Sequence, residues 1–121
     1  MKLQVFLEEK EIASEERLRE ELKHRKDDGF GAFWLIEDNP ILALFINREN
    51  ACLYYMPETE DDSWSKNKEP QKIEMDTVDF MIENYQVDEI SKDVVISTSD
   101  AIEAFIYYYQ NKKLSDAIEW C

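Results

Sequence analysis

The residues able to do chemistry in this chain are few and poorly spaced for it. Its single histidine, His24, stands in a charged stretch beside Arg25 and Lys26. A general base needs a positioned proton partner within hydrogen-bond reach, and an imidazole among like charges is expected to be solvated and inert. Of the two cysteines, Cys52 falls in an apolar run and is expected as a small core residue, while Cys121 is expected as a free, exposed thiol. One histidine and two distant cysteines do not supply the ligands of a zinc site. Gly29 and Gly31 are the only glycines, so neither a phosphate-cradling loop nor a dinucleotide fingerprint can be written. Gly29-Phe30-Gly31 reads instead as a helix stop followed by a strand entry. Glu60, Asp61 and Asp62 adjoin one another, without the alternating ligand positions and central glycine of a calcium loop. The residues therefore point to no catalytic group, no metal and no cofactor. The alternative from a different class is a hydrolase working with paired carboxylates and a metal, which the abundance of acids leaves open.

The elements that would carry any site follow from the apolar pattern. The chain has 121 residues, 44% hydrophobic and 12% aromatic, enough for one domain with a real core. Residues 3–7 read as a first strand. A helix starts at Ser14, with Glu15 and Glu16 favouring the positive end of its dipole and Leu18 and Leu22 making a narrow apolar stripe; Gly29 is its expected stop. Residues 32–56 hold three strand-like apolar runs joined by short polar turns, which predicts an antiparallel meander of central strands covered on both faces. Residues 57–70 read as a polar loop around Trp64. Val78, Phe80 and Ile82 alternate with Asp79, Met81 and Glu83, as in a half-buried strand, and residues 86–90 add another extended segment. A second helix is expected over residues 100–112, capped by Ser99 or Asp100, with Ile102, Phe105, Ile106 and Tyr109 on its apolar face. Residues 117–120 end as a short strand. The predicted fold class is α+β: a mostly antiparallel sheet with a central meander and two main helices packed against it, in a single domain. No signal-peptide core opens the chain, and the longest apolar run, residues 41–46, is far shorter than a membrane span. A reducing cytoplasm is expected, with no membrane partner.

Charge points to the kind of partner. Against 28 acids stand 14 bases, a net charge of −14, and such a field repels nucleic-acid phosphates. The excess is unevenly placed: residues 57–103 carry a net charge of −10, and the rest of the chain −4. If these side chains share a face, they make a negative patch that would steer a basic protein. The candidate contact residues are Glu58, Glu60, Asp61, Asp62, Trp64, Glu69, Glu74, Asp76, Asp79 and Glu83. Trp64, or an exposed aromatic such as Tyr85, would supply the hydrophobic anchor of such an interface; alternatively Trp64 packs back on the sheet and pins the loop. An acidic inhibitor that mimics nucleic acid would use the same clustering.

The order Phe33-Trp34-Leu35, residues 42–47, Ala51-Cys52-Leu53-Tyr54-Tyr55, the late helix with Ala101 and Phe105, and the terminal Ile118-Glu119-Trp120 resembles bacterial immunity proteins of polymorphic and contact-dependent toxin systems. The resemblance is to immunity-protein family one and to the immunity proteins that guard against DNA-deaminase toxins, over most of residues 32–120. It implies a cytoplasmic antidote that neutralises a cognate toxin domain, a nuclease or deaminase, by stoichiometric protein–protein binding.

Overall fold

A computed structural model describes residues 1–121 apart from Leu7, Asp27, Asn84 and Tyr85 and the side chain of Glu83. Continuous apolar runs, buried on both faces, build the centre of the molecule. β3 (Phe30–Glu37), β4 (Asn39–Asn47) and β5 (Asn50–Tyr55) pair antiparallel in sequence order, which is the expected meander. Its registers align Phe33, Leu44 and Leu53 on one face, and Trp34, Ala43 and Tyr54 on the other. Asp38 turns β3 into β4 and Arg48 opens the next turn, both with positive φ.

The sheet extends beyond the meander in both directions. β1 (Lys2–Val5) pairs with β3 and then with β2 (Glu8–Glu11), an all-charged strand that closes one edge. On the other side, β6 (Ser63–Lys66) joins the end of β5 and is followed by β10 (Glu119–Trp120), while β9 (Ile96–Ser97) pairs with the start of β5. β7 (Thr77–Glu83) and β8 (Gln86–Ser91) form a separate antiparallel hairpin. The architecture among the described residues is α+β, as expected.

Each face of the sheet has its own cover. One carries Leu3, Phe33, Leu35, Leu42, Leu44, Ile46 and Leu53 under two helices, α1 (Glu15–Glu21) and α2 (Thr98–Asn111), which contribute Leu18, Ala101, Phe105 and Ile106. Leu22, the C-cap of α1, is buried with them. Arg19 grips Glu103 with two hydrogen bonds of 2.9 and 3.0 Å, joining the helices at their wet side. The opposite face carries Ala32, Ala43, Phe45 and Cys52 beneath Phe80 of the hairpin. Burial pushes the Cys52 thiol far up, so it stays protonated and unreactive.

Several local expectations change. β2 occupies part of the charged stretch thought to precede the helix, because four residues suffice to pair with β1. Ser14 caps α1 as expected, its Oγ accepting from the Arg17 N–H at 3.2 Å, but the helix closes at Leu22 in the right-handed region. Gly29 does not cap it. At φ +92 it carries the chain against the next turn, where an added Cβ would lie 2.7 Å from Arg48 Cγ. α2 begins two residues earlier than read, with Ser97 as cap accepting from the Asp100 N–H at 3.2 Å. The supposed loop over residues 57–70 contains β6. Met81, expected on the wet face of its strand, is 7% exposed, next to a register shift in β7.

Candidate protein-binding surface

The acids singled out from the sequence fall into separate sets. Glu58, Glu60, Asp61 and Asp62 are exposed on the β5–β6 loop. Glu58 accepts from the Asn39 amide at one end of β4, and Asp62 from the hydroxyl of Tyr54, which stands opposite Ala43 at the middle of that strand. The hydrogen bond it donates to Asp62 holds the Tyr54 phenol above its ordinary value, since ionising the phenol would remove the donated proton; partial burial and the carboxylate charge act the same way. Asp79 belongs to the hairpin, and its carbonyl accepts from Asn47 Nδ2 at 2.9 Å at the far end of β4. Eight residue steps of strand separate Asn39 from Asn47, roughly 26 Å at about 3.3 Å each. The acids are thus spread along β4, Glu58 at one end, Asp62 near the middle and Asp79 at the other end.

Along the chain between loop and hairpin, Glu69 pairs with Lys72, Glu74 is exposed, and Asp76 is 3.8 Å from Lys92 Nζ. Glu83 ends β7, its side chain lying outside the described residues, as does Tyr85 altogether. Trp64 takes the inward alternative. On β6 opposite Tyr54, it stacks on that ring at 4.4 Å between centroids with 24° between planes. It is half-buried and pins β6 to the sheet.

What the linear reading missed lies on the hairpin. Val78, Phe80, Ile82 and Ile90 turn toward the second core, which leaves Asp79 and Glu89, direct cross-strand partners, exposed on the outer side. Like charges placed opposite each other destabilise a strand pair, so this surface is not arranged for stability alone. The large hydrophobic side chains most exposed among the described residues are Val87, on β8, at 48% and Met75, two residues before β7, at 70%. Met75 stands between Glu74 and Asp76, and Val87 beside Asp88. Apolar groups ringed by charge are the composition of an interface core with a polar rim. The one hint in the sequence was a methionine isolated among acids.

The base of the hairpin is held firmly. Ser65, fully buried, accepts from the Leu53 N–H at 3.0 Å and donates to the Val94 carbonyl at 2.7 Å. The Asn67 N–H donates to the Asp93 carbonyl at 2.7 Å, and its side-chain amide to the Lys92 carbonyl at 3.2 Å. These bonds tie the short 3-10 turn Lys92–Val94, which follows β8, to β6.

A cleft of about 620 Å³ opens between the β6–β7 connection and the start of α2, lined by Lys66, Lys68 and Lys72 but also by Glu49, Glu69, Asp100 and Glu119. Its mixed charge selects neither anion nor cation. Among the described residues, no three His, Cys, Asp or Glu side chains converge as a metal site would require. His24 is exposed, with Nδ1 3.5 Å from Glu21 Oε2. Nor is any described helix long and apolar enough to cross a membrane. No family model matches the chain, and no curated protein matches it either.

Proposed function

We propose that this protein is a stoichiometric inhibitor of the immunity type, which binds a basic protein toxin, a nuclease or deaminase, and blocks its activity. The observation that carries the reading is the β7–β8 hairpin, an acidic surface bearing exposed Val87, with exposed Met75 on the segment leading into it, on a base anchored by Ser65 and Asn67. Toxins that act on nucleic acid gather lysine and arginine around their sites to neutralise phosphates. An acidic surface steers toward such a site and raises the association rate, and desolvated apolar contacts then slow release. The resemblance of residues 32–120 to immunity proteins supports the same conclusion.

The test is co-expression with the product of the neighbouring gene. A toxic product whose toxicity this chain suppresses, recovered with it as a one-to-one complex, is the expected result. Suppression without a complex, or a neighbour that is not toxic, would refute the reading.

A further inference from the structure

The proposed binding surface also has an exposed strand edge. A hydrogen-bond phase can be assigned along the hairpin. The Lys92 N–H donates to the Asp76 carbonyl at 3.0 Å, one step beyond the pair Thr77–Ser91. In an antiparallel pair, bonded and non-bonded positions alternate. The bonded pairs are therefore Val78–Ile90 and Phe80–Asp88, and the non-bonded ones Thr77–Ser91, Asp79–Glu89 and Met81–Val87. An independent contact agrees with that phase: the Asp79 carbonyl, which must point away from β8, accepts from Asn47 Nδ2. On β8 it is then Val87, Glu89 and Ser91 that turn their N–H and C=O groups outward. Among the described residues β8 pairs with β7 alone.

The other edges are short or wholly charged. β2 is four charged residues and β10 is only two residues long. β8 has six residues, without the proline or lysine that usually blunts an open edge. Its own charge selects what can add to it. A second copy of β8 would set Asp88 and Glu89 against the same acids, which is unfavourable. A segment with lysine or arginine at alternate positions would instead meet Glu89 and Asp79 on one side while its backbone satisfies the outward groups of β8.

We infer that β8 is a docking edge, to which an extended, lysine- or arginine-bearing segment of the partner protein adds as a third strand. This rests on the reading that the hairpin meets a basic protein, and it supplies the mode of contact. Main-chain hydrogen bonds would give affinity and alternate side chains specificity, as in other strand additions.

The test uses the whole protein and two short, blocked peptides of equal charge, one alternating lysine with valine and the other lysine with proline. The first can form a strand and the second cannot. Amide exchange is followed by NMR. Saturation with the lysine–valine peptide should slow exchange at Val87 and Glu89 on the order of tenfold or more, with less change at Asp88 and Ile90, already bonded to β7. The lysine–proline peptide should give no such protection. Glu89→Pro, which removes an outward N–H and spares the hairpin ladder, should weaken the lysine–valine peptide about tenfold, whereas Glu89→Gln should weaken it less. Equal, salt-dependent binding of both peptides would overturn the edge and leave the acidic hairpin standing. Protection confined to other strands, or dimerisation of the protein through β8, would also overturn it. No salt-dependent affinity for either peptide would remove the edge together with the reading beneath it.

Discussion

Replacing Ser65 by alanine tests whether the hairpin base is held as described. The outer edge of β5 is shared: β9 pairs with Asn50 and Ala51, and β6 with Tyr54 and Tyr55. In the gap between them, the Leu53 N–H donates to the Ser65 hydroxyl, which itself donates to the Val94 carbonyl. Ser65 is 0% exposed, so Ser65→Ala leaves a buried donor unpaired. That penalty is about 1–3 kcal/mol, and the small volume removed adds little. The expected loss is about 2 kcal/mol, read as a lower denaturant midpoint at unchanged slope. Amide exchange at Leu53 should quicken, because its acceptor is gone. A loss below about 0.5 kcal/mol, with Leu53 still protected, would refute the bridge and mean that β6 carries the hairpin by other contacts.

Three further outcomes follow from the core and its charges. Phe105→Ala should cost about 3–5 kcal/mol in chemical denaturation, since Phe105 is fully buried between α2 and the sheet. Glu21, 2% exposed, is bonded to Lys10 Nζ at 2.9 Å and lies 3.3 Å from Arg17. The Lys10 hydrogen bond holds its carboxyl below the ordinary glutamate range, against the opposing effect of burial. A depressed folded value means stability that is present above the ordinary range and is lost as pH falls through the folded value. Glu21→Gln should therefore flatten the acid limb of the stability curve, and also soften the alkaline limb, because the same hydrogen bond raises the Lys10 ammonium above its ordinary value; melting temperature against pH measures both. His24→Ala should change stability by less than about 0.5 kcal/mol and leave partner binding intact, because the Glu21 carboxylate keeps two cationic partners without it.

The meander was legible in the sequence because three apolar runs, each too short for a helix and separated by polar turns, have few other ways to bury themselves. α1 and α2 were legible from caps and apolar spacing. The start of α2 was displaced because Ser97, Ser99 and Asp100 all suit an N-cap, and contacts at Thr98 choose among them: its hydroxyl donates to the Arg48 carbonyl at 2.7 Å. β2, β6 and β9 were hidden because strands of two to four residues are defined by the neighbour they pair with, and the charge of β2 contradicts its state. The charge asymmetry was visible as a sum. Its spread along β4 was not, because adjacency along residues 57–103 says nothing about where the chain turns back. Val87 looked like any apolar residue in a strand; only the direction of β8 leaves it exposed.

The proposed mode of binding is tested most directly by the association rate with the proposed basic toxin partner, by surface plasmon resonance at low and at high salt. Two variants are compared with the natural chain: Asp79→Lys with Glu89→Lys on the hairpin, and Asp61→Lys with Asp62→Lys on the loop. Asp62 is tied to Tyr54, opposite Ala43, and Asp79 to Asn47 four strand residues on, so screening over about 8 Å at physiological ionic strength weakens the coupling between the two sites. The hairpin reversal should slow association on the order of tenfold at low salt, and the penalty should shrink as salt rises. The loop reversal should slow association less, and neither should shift the melting temperature appreciably, because exposed charges add little stability. An association rate unmoved by the hairpin reversal at every salt concentration, in a protein that still melts normally, would contradict the account.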